Sequence, residues 1–180
     1  MGLHNAKNTL CAIATGLVYD VSIGDIYNAI RAFQGVKRRF EKVGEIRGVP
    51  VICDYAHHPT EILNSINTAN QIYGKVKVIF QPHTYSRTIG LKKDFLKAFN
   101  FAHELVIFKT YPARESYMIG GSAKELFNKI IHKNKTYIDT RKSLKEVLIN
   151  NKANCILVLG AGDIYDITKS VLKSTKKDNE

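Results

Sequence analysis

The densest set of reactive side chains in the sequence is Asp54-Tyr55-Ala56-His57-His58-Pro59. A carboxylate and two imidazoles at one turn can bind a metal, work as acid and base, or hold a nucleotide. A carboxylate at a strand end also suits ribose hydroxyls. The plainer alternative is that one histidine caps the following helix and Asp54 is simply hydrogen-bonded. A second polar run, Gln81-Pro82-His83-Thr84-Tyr85-Ser86-Arg87-Thr88, follows an apolar stretch and reads as a loop. Its His83 and Arg87 could meet a carboxylate, which a guanidinium grips bidentately. Lys37-Arg38-Arg39 offers three adjacent cations, for phosphates or for a solvated linker. Gly160-Ala161-Gly162 opens a helix whose N-terminus would draw an anion. It is only half of a GxGxxG fingerprint and serves equally as a tight turn. Asn5 and Asn8 share one helix face next to His4. A carboxamide there can read adenine, or Asn5 simply caps the helix.

These groups need elements to position them. Residues 5–17 and 25–33 read as two helices, the second with Ile26, Ala29, Ile30 and Phe33 on one face, and Gly35 as a stop. After Gly35 the period changes. Residues 40–46 and 49–53 flank Arg47-Gly48 and read as a β-hairpin. Strands at 75–80, 104–108, 135–138 and 155–159 then alternate with helices at 60–73, 91–101, 122–131, 143–149 and 163–172. Ser122 and Glu125 form a capping box, and Pro59 sits at a helix start. That alternation predicts an α/β fold with a largely parallel sheet and helices on both faces. Ligands in such sheets bind at the carboxyl ends of strands, where all the polar clusters from Asp54 onward fall.

The chain has 180 residues, 44% of them hydrophobic, which excludes a disordered chain. No apolar run approaches the ~18 residues of a membrane span. The N-terminal residues lack the charged and apolar regions of a secretory signal, so the expectation is a cytoplasmic protein. The net charge is +11, and residues 1–35 contribute none of it, which marks a candidate boundary near Gly35. Such a charge suits phosphate-bearing ligands, an anionic surface or nucleic acid. No helix concentrates the lysines and no aromatic-basic RNA motif appears, so the nucleic-acid module is the weaker alternative and the expectation is no nucleic acid and no membrane partner. Cys11, Cys53 and Cys155 each sit in an apolar run without a CxxC pair, which predicts buried reduced thiols. No GxxxxGKS/T phosphate loop, GxSxG elbow or HExxH occurs.

Taken together, the motifs resemble the Mur ligase family. Gly2-Leu3-His4-Asn5-Ala6-Lys7-Asn8 is similar to its GxHNxxN segment, and residues 33–41 to its FxGVxRRFE crossover. Residues 54–61 read DYAHHPTE and residues 80–88 resemble FQPHxYxRT, which is the pattern of the alanine-adding branch and of its muropeptide-recycling relative. The resemblance implies that residues 1–35 are the helical tail of a central ATPase domain. Residues 36–180 would be a C-terminal Rossmann-like domain, with the antiparallel hairpin strand at its start. It implies an ATP- and Mg2+-dependent ligation of L-alanine to UDP-N-acetylmuramate through an acyl phosphate, in peptidoglycan precursor synthesis. The Mg2+ would be bound mainly by a central domain that is not in these residues, so no metal ligand is expected here and the chain alone should be inactive. By the same resemblance Asn5, Asn8, Arg39 and Asp54 would contact ATP. Tyr55, His57, His83 and Arg87 would form the alanine pocket, with His57 catalytic and Arg87 near the substrate carboxylate. Thr84 stands where the family often has a basic residue, and Cys53 where an aspartate is usual. The related ligase that attaches a peptide is the alternative reading, and a metal-dependent hydrolase built on Asp54, His57, His58 and His83 is a weaker one.

Overall fold

A computed structural model describes residues 3–33 and 35–177, with side chains from Ala6 to Thr175. The chain forms two compact units, Met1–Val36 and Lys37–Glu180. The first contains α1 (Leu3–Val18) and α2 (Ile23–Ala32). Ser22 caps α2, its hydroxyl accepting from the Asp25 amide at 3.1 Å. Gly16 lets the two helices approach, since a Cβ there would lie 2.8 Å from Ile26 Cδ1. The apolar face expected on α2 is present, but no residue of that helix is buried, and Phe33 is 66% exposed. Cys11 is exposed as well, which corrects the expectation of three buried thiols, while Cys53 and Cys155 are buried.

The second unit begins with β1 (Glu41–Ile46) and β2 (Val49–Asp54), an antiparallel hairpin turned at Arg47-Gly48. There follow α3 (Pro59–Tyr73), β3 (Val76–Phe80), α4 (Tyr85–Gly90), α5 (Lys92–Ala98), β4 (Glu104–Phe108) and α6 (Ala123–Lys129). The unit ends with β5 (Lys135–Ile138), α7 (Arg141–Ile149), β6 (Cys155–Leu159) and α8 (Ile164–Lys177). The sheet order is β1-β2-β6-β3-β4-β5, and all pairs except the hairpin are parallel. This is the mostly parallel sheet that the alternation of periods predicts.

Side chains of a strand alternate between faces, and the core divides accordingly. Val76, Val78 and Phe80 join Ile62, Ile66, Phe95 and Leu126 on one side. Ile79, Val106, Ile156 and Val158 join Leu144, Leu148, Ile164 and Val171 on the other. Helices α3, α5 and α6 therefore cover one face, and α7 and α8 the other. Lys77 is the exception to an apolar β3. It is 1% exposed, and its ammonium donates to the carbonyls of Val147 and Asn150 at 3.1 and 2.8 Å and pairs with Glu104 at 3.2 Å. A strand lysine thus satisfies the last carbonyls of α7, which a helix cannot satisfy itself.

Several boundaries differ from the sequence reading. The expected polar loop at 81–88 is helical from Tyr85, which adds α4, and the helix expected at 91–101 is the shorter α5, with Leu91 between the two. The last helix continues to Lys177 rather than ending at residue 172.

Candidate active site

Because β2, β6, β3 and β4 are parallel neighbours, their carboxyl ends lie along one edge of the sheet. The loops after them carry the reactive residues. Asp54 ends β2 and turns its carboxylate back on its own surroundings. Oδ1 accepts from the Ala56 amide at 3.2 Å and Oδ2 from the Ser65 hydroxyl at 2.7 Å. Burial pushes the Asp54 carboxyl above its usual range, and the Ser65 and Ala56 hydrogen bonds oppose that rise. His58 is the N-cap of α3, its Nδ1 accepting from the Thr60 amide at 3.3 Å. Glu61 completes the box by accepting from the amides of His57 and His58 at 3.1 and 3.2 Å. His58 is therefore the capping histidine, and Asp54 is hydrogen-bonded both to its own turn and to α3.

The remaining ring is differently placed. His57 packs edge-on against Tyr55, with centroids 5.4 Å apart, and stands 6.3 Å from the His83 ring. The Arg39 guanidinium lies 5.6 Å from the Tyr55 ring centre. His83 stacks on Tyr111 at 5.5 Å with the rings nearly parallel. Arg87 Nη1 donates to the His83 carbonyl at 2.7 Å and lies 3.1 Å from His83 Nδ1. Arg39, Tyr55, His57, His83 and Arg87 thus form one continuous row of contacts, with Tyr111 stacked on His83. Burial, then the charges of Arg87 and His57, hold the His83 imidazole below its usual pKa.

Asn8 is exposed on α1 in the first unit, and the side chain of Asn5 lies outside the described residues. Among the described residues no group of three or more His, Cys, Asp or Glu side chains is placed to hold a metal ion. Asp54, His57, His58 and His83, the set weighed for a metal-dependent hydrolase, do not gather round one point. Arg38 departs from the phosphate reading of the basic run. It pairs with Asp166 at 2.9 Å and lies over the Tyr165 ring at 4.4 Å. Gly160-Ala161-Gly162 serves as the tight turn. Gln81 fills the space above it, donating to Asp163 Oδ1 at 2.7 Å and accepting from the Ile164 amide at 3.0 Å. The first amide of α8 is therefore already taken.

Sequence reading missed Glu115. It lies in the β4–α6 loop, and its carboxylate accepts from the Thr84 hydroxyl at 2.6 Å, the Ser86 amide at 2.9 Å and the Ser86 hydroxyl. Helix α4 has no cap of its own at Thr84, so Glu115 supplies one from 31 residues away. These hydrogen bonds hold its pKa down at about 2, against 4.5 ordinarily. A carboxylate with a lowered folded-state pKa stabilises fully above the unfolded value and loses that contribution as pH falls. Glu115→Gln is therefore expected to lower the urea midpoint at pH 7. The gap from the parent should close as pH falls from about 4.5 towards 2. A gap that stays constant across that window would contradict the assignment. The signal in the sequence was only the acidic end of Tyr111-Pro112-Ala113-Arg114-Glu115.

Residues 38–162 match the family described as Mur ligase, glutamate ligase domain. The UDP-N-acetylmuramate–L-alanine ligase of Lachnospira eligens is 41% identical over 177 residues, covering 96% of this chain and 39% of that protein. The crystal structure of the UDP-N-acetylmuramate-alanine ligase from Thermotoga maritima superposes with a TM-score of 0.78 at 28% identity, over 99% of this chain and 39% of that one. A murein peptide ligase from Psychrobacter arcticus shares the fold, with a TM-score of 0.68 at 22% identity over 96% of this chain and 37% of that one. This chain thus spans about two fifths of the length of the relatives it matches.

Proposed function

The chain belongs to the Mur ligase family, and on that premise we propose that it is the amino-acid-binding part of an ATP-dependent ligase that joins L-alanine to UDP-N-acetylmuramate. The observation that carries the proposal is the row Arg39–Tyr55–His57–His83–Arg87 along one sheet edge. Arg87 spends Nη1 on His83, which fixes the guanidinium and leaves its other nitrogens for the carboxylate of the amino acid. Tyr55, His57 and His83 wall the alanine pocket, and His57 is the catalytic side chain. Arg39 makes no ion pair among the described residues and suits the phosphates of ATP. Each Asp54 oxygen keeps a further lone pair for a ribose hydroxyl. Asn5 and Asn8 are assigned to adenine.

An ionised carboxylate is a poor electrophile, and ATP gives it a leaving group by forming an acyl phosphate. The described residues do not fit Mg2+, since they gather no carboxylate set. The proposal places that ion in the part of the ligase not represented by this chain. With no phosphate loop in its 180 residues, the chain by itself is expected to show no turnover. ATP as substrate implies a cytoplasmic setting, and among the described residues no helix is long and apolar enough to cross a membrane.

The test is phosphate release by the whole ligase carrying this sequence. Release should require UDP-N-acetylmuramate together with L-alanine. A requirement for a peptide in place of L-alanine would replace the proposal with the muropeptide reading, and turnover by this chain alone would refute it.

A further inference from the structure

Strands β6, β3, β4 and β5 are parallel neighbours, so their amino ends line the sheet edge opposite the candidate active site. Four turns arrive there, residues 150–154, 74–75, 99–103 and 130–134 in the order of the sheet. Hydrogen bonds lace them into one surface. The Asn154 amide donates to the Lys75 carbonyl at 2.8 Å, and its side chain donates to the Tyr73 carbonyl at 2.9 Å. The Asn70 side chain donates to the Phe101 carbonyl at 2.8 Å, and the His103 amide to the Val76 carbonyl at 3.0 Å. His132 Nε2 donates to the Ala102 carbonyl at 3.0 Å, while its Nδ1 accepts from the Asn134 amide at 3.1 Å.

This surface is basic without compensation. The four turns hold Lys152, Lys75 and Lys133, all exposed, and no acidic residue. None of the three lysines makes an ion pair among the described residues. Glu104, which follows the third turn, is paired with the buried Lys77. Lysines near helix C-termini ordinarily offset the helix dipole. Here two other lysines do that. Lys77 holds the last carbonyls of α7, and Lys135 donates to the Phe127 and Ile130 carbonyls at the end of α6, at 2.8 and 2.6 Å. Lys152 and Lys133 follow the same two helices and are not needed for them. Beside these ammoniums stand Phe101, 61% exposed, and Ile131, 93% exposed, and the His132 bond to Ala102 brings their turns together.

We propose that this amino edge is a docking surface for an anionic lipid bilayer. Lys75, Lys133 and Lys152 would meet headgroup phosphates, and Phe101 and Ile131 would enter the acyl boundary. The contact lies on the surface and needs no spanning helix. A nucleic acid offers phosphates to the lysines but gives Ile131 nothing to bury itself in. The candidate active site, on the opposite edge, stays clear of the bilayer. The sequence reading expected no membrane partner, because no stretch of chain gathers these groups. Only the parallel sheet brings the four turns together. The proposal is independent of the ligase reading, since the surface shares no residue with the row on the other edge.

Co-sedimentation of this chain with vesicles, without substrate, tests it. Vesicles of mixed phosphatidylcholine and phosphatidylglycerol should bind the chain at low salt and release it as salt rises, and pure phosphatidylcholine should bind little. Each lysine at such a surface contributes about fivefold to partitioning, so Lys75→Gln, Lys133→Gln and Lys152→Gln together should cost about a hundred-fold. Lys93→Gln, Lys124→Gln and Lys142→Gln form the control. They remove the same charge from the first turns of α5, α6 and α7, at the opposite edge, and should cost less than about fivefold. Phe101→Ser with Ile131→Ser should cost about tenfold or more. Every substituted side chain is exposed, so the fold is retained. Equal losses from the two lysine triples would reduce the effect to net charge and overturn the proposal. Undiminished binding by the Phe101 and Ile131 variant would overturn it in favour of a polyanion such as a nucleic acid. Failure of the parent chain to bind anionic vesicles at low salt would leave the surface to an acidic protein and overturn it as well.

Discussion

Replacing Arg87 by alanine is expected to raise the KM for L-alanine about ten- to a hundred-fold in the whole ligase. Losing a hydrogen bond to a charged group costs roughly 1.5–3 kcal/mol, and each ~1.4 kcal/mol is a factor of ten. The effect should fall on KM first, because a carboxylate contact is made equally in the ground and transition states. A smaller fall in kcat should accompany it, since the same guanidinium holds the His83 carbonyl and ring. Arg87→Lys should recover little. An ammonium is a point charge and cannot reach His83 and a substrate carboxylate with one planar fork. Steady-state kinetics with L-alanine varied decide the matter, and an unchanged KM would remove Arg87 from the pocket.

The largest expected loss of stability follows Gly162→Ala. A Cβ at Gly162 would lie 2.5 Å from both Gln81 Oε1 and Tyr111 Cγ, and 2.6 Å from Tyr111 Cβ. None of these atoms is free to give way. Gln81 is buried and spans the start of α8 through Asp163 and the Ile164 amide. Tyr111 stacks on His83, and its amide donates to the Pro82 carbonyl at 2.9 Å. Forcing a methyl into a filled core costs about 1–3 kcal/mol, and this site should lie at the upper end. For a chain of this size that is a fall of roughly 6–12 °C in Tm. Gly90→Ala is the control. It lies within α4, a Cβ there meets nothing within 4 Å, and Tm should hold or rise slightly. Equal Tm values for the Gly162 and Gly90 variants would show that the turn tolerates a side chain.

Much of the second unit was legible in advance. The hairpin around Arg47-Gly48 and the strands at 104–108, 135–138 and 155–159 lie where the period changes place them. So does the capping box of Ser122 and Glu125. Each of these signals sits within a few residues of the element it defines. The site was legible as a set of residue types at strand ends but not as an arrangement. His57 and His58 are adjacent and chemically identical, and only the first turn of α3 sends one to the cap and leaves the other beside Tyr55. Helix α4 read as a loop because its own N-terminus holds no capping side chain, and Thr84 makes no cap bond. The missing carboxylate comes from Glu115. Lys77 read as an ordinary strand residue because the carbonyls that hold it belong to α7, 70 residues further on.

The order of residues alone settled the periods, the turns, the short-range caps and the edge of the sheet where chemistry can occur. Those depend on backbone preferences and side-chain spacing that act over one or two turns of chain. Tertiary structure decided which polar groups are used up in holding the fold and which remain for a substrate. His58, Gln81 and Glu115 are taken up by the protein, whereas among the described residues Arg87 commits only Nη1, to His83. For Glu115 and Gln81 the hydrogen bonds that do so join residues 31 and 82 apart in the chain. A buried polar group must find a partner wherever the folded chain brings one, and sequence distance does not enter into that requirement.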